Sequence, residues 1–267
     1  MDFEQLLMNK DRYRIGKVYI SATNPKDAEE RITKAALDGV NDYICVSNMR
    51  TVYLAQKDVG YCRVMNEAWM CTPDGTPLTW MAHLWGRKDV QRTDGPDLMV
   101  SILNKPESGV KHFLLGDTEE TLAAMKEKYP NSQIVGSYSP PFCGLDEYDY
   151  PAMAKIINDS GANVVWVSLR APKQDYFAIR LLPYLDGKLC IGVGAAFRFA
   201  LGQYKHPNKA IQKMGLTGLF WRKIGLKEVG VYCKWTVFLA WVGGVFYVTE
   251  SQIGLNASNE LRCSLAA

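Results

Sequence analysis

Short apolar runs alternate with amphipathic stretches along residues 17–200. Seven runs are short and rich in β-branched residues, which predicts strands over 17–22, 42–47, 68–72, 111–116, 132–137, 163–168 and 189–194. Between them apolar residues recur every three or four positions, which predicts helices over 25–39, 49–66, 76–86, 95–104, 118–129, 148–160 and 173–185. This alternation is typical of βαβ units and predicts an α/β fold, with a Rossmann-like, mostly parallel sheet covered by helices.

The pattern changes after about residue 203. Basic residues are interleaved with aromatic and aliphatic ones, and residues 235–248 (WTVFLAWVGGVFYV) form an uncharged apolar run. A spanning helix needs about 20 residues, so we expect this shorter run to lie in a membrane interface. The alternative is a buried strand or helix that closes the domain. We therefore expect an α/β domain over 1–202 and a C-terminal, membrane-associating appendage over 203–267.

Composition narrows the class of protein. Hydrophobic residues make up 48% and charged residues 22% of the chain, which is ordinary for a folded globular protein. The net charge of +3 is too small to indicate nucleic-acid binding by itself. The seven cysteines show no Cys-x-x-Cys spacing and the three histidines lie far apart, so neither a disulfide framework nor a metal site is expected. The N-terminus has no apolar secretion signal, which favours a cytoplasmic setting.

Four short segments lie at predicted strand ends or helix starts, namely 46–48, 73–75, 92–95 and 172–175. In open α/β sheets, ligands bind outside the carboxyl ends of the strands. We therefore expect the four segments to converge on one edge of the sheet and to carry the chemistry.

Each polar residue in these segments has a functional and a structural interpretation. Asp74 could accept a proton from an incoming hydroxyl, or could cap the helix that follows. Arg92 could hold a diphosphate together with backbone N–H groups, or could be a surface arginine. Asn48 could bind a sugar hydroxyl or cap a helix. Lys173 and Gln174 open a helix in a position suited to phosphate or sugar contacts, although a lysine there is also often only solvated.

The glycines of Gly192-Val193-Gly194 invite comparison with a dinucleotide-binding loop. The third glycine position of that motif is occupied by Phe197, so a nicotinamide-dependent oxidoreductase is disfavoured. Glycines at a strand end still allow the backbone to approach a ligand closely. The chain also lacks an Asp-x-Asp pair, a Walker loop and a Gly-x-Ser-x-Gly elbow, which weakens metal-dependent transferase and hydrolase interpretations.

Taken together, the segments resemble the WecG/TagA/CpsF family of bacterial glycosyltransferases over about residues 17–202. The motifs in order are Asn48, Pro73-Asp74-Gly75, Arg92-x-x-Gly95-x-Asp97-Leu98, FLLG at 113–116, IVGSYSPPF at 134–142, APKQD at 171–175 and IGVGAAF at 191–197. Agreement of this many motifs in order is far more specific than any single motif.

The resemblance implies an inverting, metal-independent transfer that uses no cofactor. The donor would be a UDP-sugar of the N-acetylmannosamine or hexose type, and the acceptor a sugar on a polyprenyl-diphosphate carrier. Such a reaction belongs to the synthesis of cell-envelope or capsule polysaccharides, on a peripheral protein at the inner, anionic face of the cell membrane.

The resemblance also assigns roles to individual residues. It gives the catalytic roles to Asp74, as general base, and to Arg92. The expected substrate-binding positions are Ser47, Asn48, Gly116, Gly136, Tyr138, Lys173, Gln174, Gly192, Gly194 and, from the appendage, Arg222.

Two positions depart from the family pattern. The family's threonine is replaced by Val46, so neighbouring Ser47 would have to supply the hydroxyl, and a nucleotide-binding aspartate is replaced by Arg198. These departures leave open a second hypothesis, a catalytically inactive sugar-nucleotide-binding accessory subunit of a membrane glycosyltransferase. A homo-oligomer also stays open, because exposed apolar surface in the appendage could form a subunit interface.

Overall fold

The computed structural model describes residues 11–205. Its strands are β1 (Arg12–Ile15), β2 (Val18–Ser21), β3 (Asp42–Ser47), β4 (Met70–Pro73), β5 (His112–Gly116), β6 (Ile134–Tyr138), β7 (Val164–Ser168) and β8 (Leu189–Gly192). Strands β3 to β8 form one six-stranded parallel sheet in the order β4-β3-β8-β7-β5-β6. The predicted α/β class and parallel sheet are therefore confirmed for this part of the chain.

Helices cover both faces of the sheet. Over residues 11–205 they are α1 (Pro25–Leu37), α2 (Met49–Lys57), α3 (Val59–Glu67), α4 (Thr76–Leu84), α5 (Gly95–Leu103), α6 (Glu119–Lys128), α7 (Tyr150–Asp159), α8 (Lys173–Leu181) and α9 (Ala196–Ala200). Helices α2, α3, α4, α7 and α8 pack on one side, here called the front face. Helices α1, α5, α6 and α9 pack on the other, the back face. No helix in this range is long and apolar enough to cross a bilayer.

The central strands are apolar along their whole length because helices bury them on both faces. In β7, Val165 and Val167 belong to the front core while Val164 and Trp166 belong to the back core. This is the residue pattern expected of a parallel sheet enclosed by two helix layers. The carboxyl ends of the strands form one edge of the sheet, where the connecting loops begin. The candidate site lies at this edge.

Two local features differ from the expectation. The predicted strand 17–22 forms as β2, but it pairs antiparallel with β1, a strand that the periodicity did not predict. The hairpin turn contains Gly16, whose φ of 61° is in the left-handed region that favours glycine. The single helix predicted over 49–66 is divided at Asp58, which ends α2 and caps α3 by accepting a hydrogen bond from the Tyr61 N–H at 3.0 Å.

The predicted C-terminal appendage lies almost wholly outside the described residues. That holds for the apolar run 235–248, for the membrane-association prediction and for Arg222.

Candidate functional site

The ends of β3 and β4 bring two of the predicted segments together. Ser47 and Pro73 are register partners in the sheet. The Asp74 N–H donates to the Ser47 carbonyl at 2.7 Å, and the Thr93 N–H donates to the Pro73 carbonyl at 2.9 Å. Backbone hydrogen bonds therefore fix Asp74 and the 92–94 segment at the same corner of the sheet, as the convergence of the motifs predicts.

At this corner one guanidinium lies between two carboxylates. Arg92 Nη2 is 3.6 Å from Asp74 Oδ1 and 3.2 Å from Asp94 Oδ2. The Asp94 side chain is only 5% exposed, whereas those of Asp74 and Arg92 are 23% and 21% exposed. We call these three residues the β4 cluster.

Asp74 is more basic than an ordinary carboxylate in this setting. Burial raises its pKa well above the usual value, and the nearby Asp94 charge raises it further, while Arg92 opposes both effects. A raised pKa moves a carboxylate toward neutral pH, where a general base is most effective. Asp74 does not cap α4, because the N-cap residue is Gly75 and no side chain supplies a capping hydrogen bond.

Asn48 acts as a helix cap and also lies beside the β4 cluster. Its Oδ1 accepts hydrogen bonds from the Arg50 and Thr51 N–H groups, at 3.0 and 3.3 Å, so the capping interpretation is confirmed. A Cβ at Gly75 would lie 3.9 Å from the Asn48 Cα, so the two chain segments are in contact. The oxygen of Asn48 is used locally, which leaves its amide N–H groups as the atoms suited to a ligand.

Val46 and Ser47 point to opposite faces of the sheet. Val46 packs in the back core, while Ser47 is 1% exposed and its Oγ lies 2.8 Å from Cys71 Sγ. The structure therefore places the Ser47 hydroxyl inside the protein, next to β4, and not at the edge of the sheet.

The start of α8 forms the second wall of the site. Gln174 is 2% exposed, and its Oε1 accepts a hydrogen bond from the Gly194 N–H at 2.9 Å. A Cβ at Gly192 would lie 2.8 Å from Gln174 Nε2 and 3.0 Å from Asp175 Oδ1. The glycine at the end of β8 is thus explained by the close approach of two α8 side chains, without a dinucleotide.

Asp175 is a buried group that the sequence analysis did not select. It accepts a hydrogen bond from the Tyr61 hydroxyl at 2.6 Å, and burial raises its pKa to about 6. The APKQD motif could have indicated it, since the adjacent Gln174 was selected from the same motif. This hydrogen bond ties the start of α8 to α3.

Lys173 and Phe142 join α8 to the loop that follows β6. Lys173 Nζ donates to the Cys143 carbonyl at 2.5 Å and lies 5.5 Å from the centre of the Phe142 ring. The Phe142 side chain is fully exposed. In this structure the Lys173 ammonium therefore holds a loop at the edge of the sheet.

The α5 start links the β4 cluster to the end of β8. A Cβ at Gly95 would lie 3.3 Å from the Val193 Cα and carbonyl oxygen, so only glycine allows this approach without displacement. Asp94 caps α5 by accepting a hydrogen bond from the Asp97 N–H at 3.0 Å. The corner at β4, the end of β3 and the β8 loop therefore form one continuous wall.

The remaining predicted positions lie toward the other side of the sheet. Four strand spacings separate β4 from β5, which is about 19 Å at ~4.8 Å per strand. Gly116, at the end of β5, has a φ of 106°, and a Cβ there would lie 2.6 Å from the Ser168 carbonyl oxygen. Gly136 accommodates the Phe113 ring, and Tyr138 packs against the front core. The structure does not bring these three residues to the β4 cluster.

Arg198 is held by a carboxylate that follows β5. Its guanidinium makes a two-pronged ion pair with Asp117, with Nη2 2.8 Å from Oδ1 and Nε 3.0 Å from Oδ2. Burial alone would raise the pKa of Asp117, but the hydrogen bonds and charge of Arg198 lower it, and the pKa of Arg198 is raised in turn. We call these two residues the β5 pair.

Sequence comparisons identify the family to which the chain belongs. The sequence profile described as "Glycosyl transferase WecG/TagA/CpsF family" matches residues 13–223. A Staphylococcus aureus protein named N-acetylglucosaminyldiphosphoundecaprenol N-acetyl-beta-D-mannosaminyltransferase is 23% identical over an alignment of 203 residues that covers 72% of this chain and 78% of that protein. A Bacillus spizizenii protein of the same name is 26% identical over 168 residues, 61% of this chain and 63% of that protein. The profile match contains the whole six-stranded sheet and both carboxylate–arginine groups.

Proposed function

Because the chain belongs to the WecG/TagA/CpsF family of glycosyl transferases, we propose that it transfers a sugar from a UDP-sugar to a sugar on a polyprenyl-diphosphate carrier. The observation that carries the proposal is the β4 cluster, where a carboxylate with a raised pKa lies beside an arginine at the ligand-binding edge of the sheet. The two relatives are named for transfer to N-acetylglucosaminyldiphosphoundecaprenol, so this acceptor and an N-acetylmannosamine donor are the first pair to test.

In this proposal the reaction is a single displacement. The acceptor hydroxyl gives its proton to Asp74 while its oxygen forms a bond to the anomeric carbon of the donor. The bond between that carbon and the UDP oxygen breaks, UDP leaves with the electron pair, and the configuration inverts. Asp74 afterwards releases the proton to water. A positioned general base of this kind contributes about 10²–10⁴ in rate.

The leaving diphosphate needs positive groups within reach of the reacting carbon. Arg92 supplies a guanidinium 3.6 Å from Asp74, and the uncapped start of α4 directs backbone N–H groups toward the same corner. Preorganised donors of this kind stabilise charge that develops in the transition state. We propose that these groups suffice without a metal ion.

The donor is proposed to lie over β3 and β8, on the side of the front-face helices. Asn48 at the start of α2 and Gln174 at the start of α8 border this region, and Gly192 and Gly194 keep the β8 loop close to α8. Lys173 contributes by holding the 139–144 loop. Because the acceptor is lipid-linked, we place the reaction at the cytoplasmic face of an anionic membrane, with residues 1–202 as the catalytic domain and 203–267 as the part that meets the membrane.

The test is release of UDP from a panel of UDP-sugars by the full-length protein, with the diphosphate-linked acceptor and EDTA present. We expect release that requires the acceptor and persists in EDTA, with product of inverted anomeric configuration by NMR. Activity that EDTA abolishes and Mg²⁺ restores would contradict the metal-free mechanism. Measurable UDP-sugar binding with no transfer from any donor would instead support the accessory-subunit hypothesis, which Arg198 and Val46 motivate.

A further inference from the structure

A cleft lies between α1 and α5 on the back face, directly behind the β4 cluster. Its volume is about 480 Å³, within the range of small-molecule sites. Helices α1 and α5 contact each other through Glu29 of α1. Its carboxylate accepts a hydrogen bond from Ser101 of α5 and forms an ion pair with Lys105, which lies just after the C-terminal end of α5. Arg92 lines the cleft and also lies 3.6 Å from Asp74, which is not itself part of the lining, so this one side chain connects the cleft to the proposed base.

The lining of the cleft fits an uncharged polyol better than a polyphosphate. Its four carboxylates, Glu29, Glu30, Asp94 and Asp97, outnumber its three cations, Lys26, Arg92 and Lys105. Carboxylates repel a diphosphate but accept hydrogen bonds from sugar hydroxyls, and such charge-assisted bonds are stronger than neutral ones.

The position of the cleft also matches the geometry of an inverting displacement. The acceptor oxygen and the leaving group must lie on opposite sides of the anomeric carbon. The donor region is bordered by α2 and α8 of the front face, whereas the cleft is formed by α1 and α5 of the back face. Asp74 stands at the edge between the two layers, where ligands from the two sides would meet.

We propose that the cleft between α1 and α5 is the subsite for the acceptor sugar, an uncharged pyranose whose attacking hydroxyl is directed at Asp74. This inference rests on the proposed function. The diphosphate and lipid of the acceptor would then extend from the mouth of the cleft, away from its carboxylates.

Two lysines of α1 provide a matched test. Lys26 lines the cleft, whereas Lys34 does not line it and instead lines the neighbouring cavity of about 380 Å³. Their side chains are similarly exposed, at 86% and 76%, so tryptophan should be tolerated at both positions. We expect Lys26→Trp to obstruct the cleft and raise the acceptor KM about tenfold or more, with the donor KM unchanged, and Lys34→Trp to change neither.

A polar variant tests the recognition chemistry. Glu30→Gln keeps the size of the side chain but removes a charge from the cleft wall. We expect a rise of roughly fivefold to tenfold in the acceptor KM, since this solvent-exposed residue would lose one charge-assisted hydrogen bond to a sugar hydroxyl. Asp38→Asn, at the residue that directly follows α1 and lines the neighbouring cavity but not the cleft, is the control.

The outcomes separate this inference from the proposed function. Normal acceptor KM in Lys26→Trp and Glu30→Gln, with an active wild type, would refute the subsite and leave the function intact. If the wild type transfers no sugar, the proposed function fails. In that case the affinity for a short-chain diphosphate-linked N-acetylglucosamine, measured by calorimetry, tests whether the cleft binds this sugar. Equal affinity in wild type, Lys26→Trp and Lys34→Trp would overturn the proposed subsite.

Discussion

Two carboxylate–arginine groups lie along the same edge of the sheet in opposite electrostatic states. In the β4 cluster, two carboxylates share one guanidinium at 3.2 and 3.6 Å, and the pKa of Asp74 is raised. In the β5 pair, one carboxylate has a guanidinium to itself through two short contacts, and the pKa of Asp117 is lowered. The same residue types therefore leave Asp74 with a raised pKa, through burial first and the Asp94 charge second, and Asp117 with a lowered pKa, through the hydrogen bonds and charge of Arg198.

The surroundings of the β5 pair fix its position through several backbone contacts. Asp117 has a φ of 59°, in the left-handed region, and its carbonyl accepts a hydrogen bond from Ser139 Oγ at 2.6 Å. Gly116 before it approaches the Ser168 carbonyl more closely than a side chain permits. A strained backbone of this kind persists only where surrounding contacts fix it. We infer that the β5 pair holds the loops of the sheet edge and does not take part in proton transfer.

Replacing Gly116 should have the largest effect on stability. In Gly116→Ala the Cβ meets the Ser168 carbonyl oxygen at 2.6 Å, in addition to the cost of a left-handed φ. We expect the free energy of unfolding, measured by urea denaturation, to fall by roughly 2–5 kcal/mol. Gly109→Ala is the matched control, since its φ of 78° is also left-handed but nothing lies within 4 Å of the added Cβ. An equal fall in the free energy of unfolding in both variants would show that the close approach to Ser168 does not contribute to the destabilisation.

Breaking the β5 pair should have the next largest effect. Arg198→Ala removes the cation that pairs with the carboxylate of Asp117, and the Asp117 side chain is only 6% exposed. We therefore expect the free energy of unfolding to fall by roughly 1–3 kcal/mol. Arg180→Ala is the control, because the Arg180 side chain is 40% exposed against 37% for Arg198, but its partner Asp146 is 89% exposed. An exposed pair contributes about 1 kcal/mol or less. Indistinguishable unfolding midpoints would contradict a structural role for the β5 pair.

The smallest effect is expected from changing the charge ratio of the β4 cluster. Asp94→Asn keeps a good N-cap for α5 and removes the like charge that raises the pKa of Asp74. Wild-type kcat/KM should rise with pH as Asp74 ionises. In Asp94→Asn the lowered pKa should shift this rise to lower pH by about one unit. An unchanged pH profile would mean that Asp74 is not the group whose ionisation limits the rate.

Periodicity alone predicts most of the fold, because each element is a local pattern. The seven predicted strands form, and the polar residues that follow them converge on one edge as expected for a parallel sheet. The hairpin partner β1 was missed because RYRI is too short to show a period. The break at Asp58 was missed because apolar spacing continues through it while the backbone does not.

The site is less predictable, because its electrostatics depend on long-range contacts. Asp74 and Arg92 could be selected from their positions after strand ends, but the burial of Asp74 and the nearby charge of Asp94, which raise the pKa of Asp74, depend on how the elements pack. Arg198 and Asp117 lie 81 positions apart, and only the sheet order brings them together. From sequence, Arg198 was a departure from the family pattern, and the structure supplies the carboxylate that pairs with it.

The most direct test of the central claim is the turnover number of Asp74→Asn and Asp117→Asn at saturating donor and acceptor, measured side by side. Both changes remove one charge and keep the shape of the side chain, and asparagine tolerates the left-handed backbone at 117. We expect Asp74→Asn to lose about 10²–10⁴ in kcat with unchanged UDP-sugar binding. Asp117→Asn should keep its kcat and lose stability. Near-normal turnover in Asp74→Asn would contradict the assignment of Asp74 as the base.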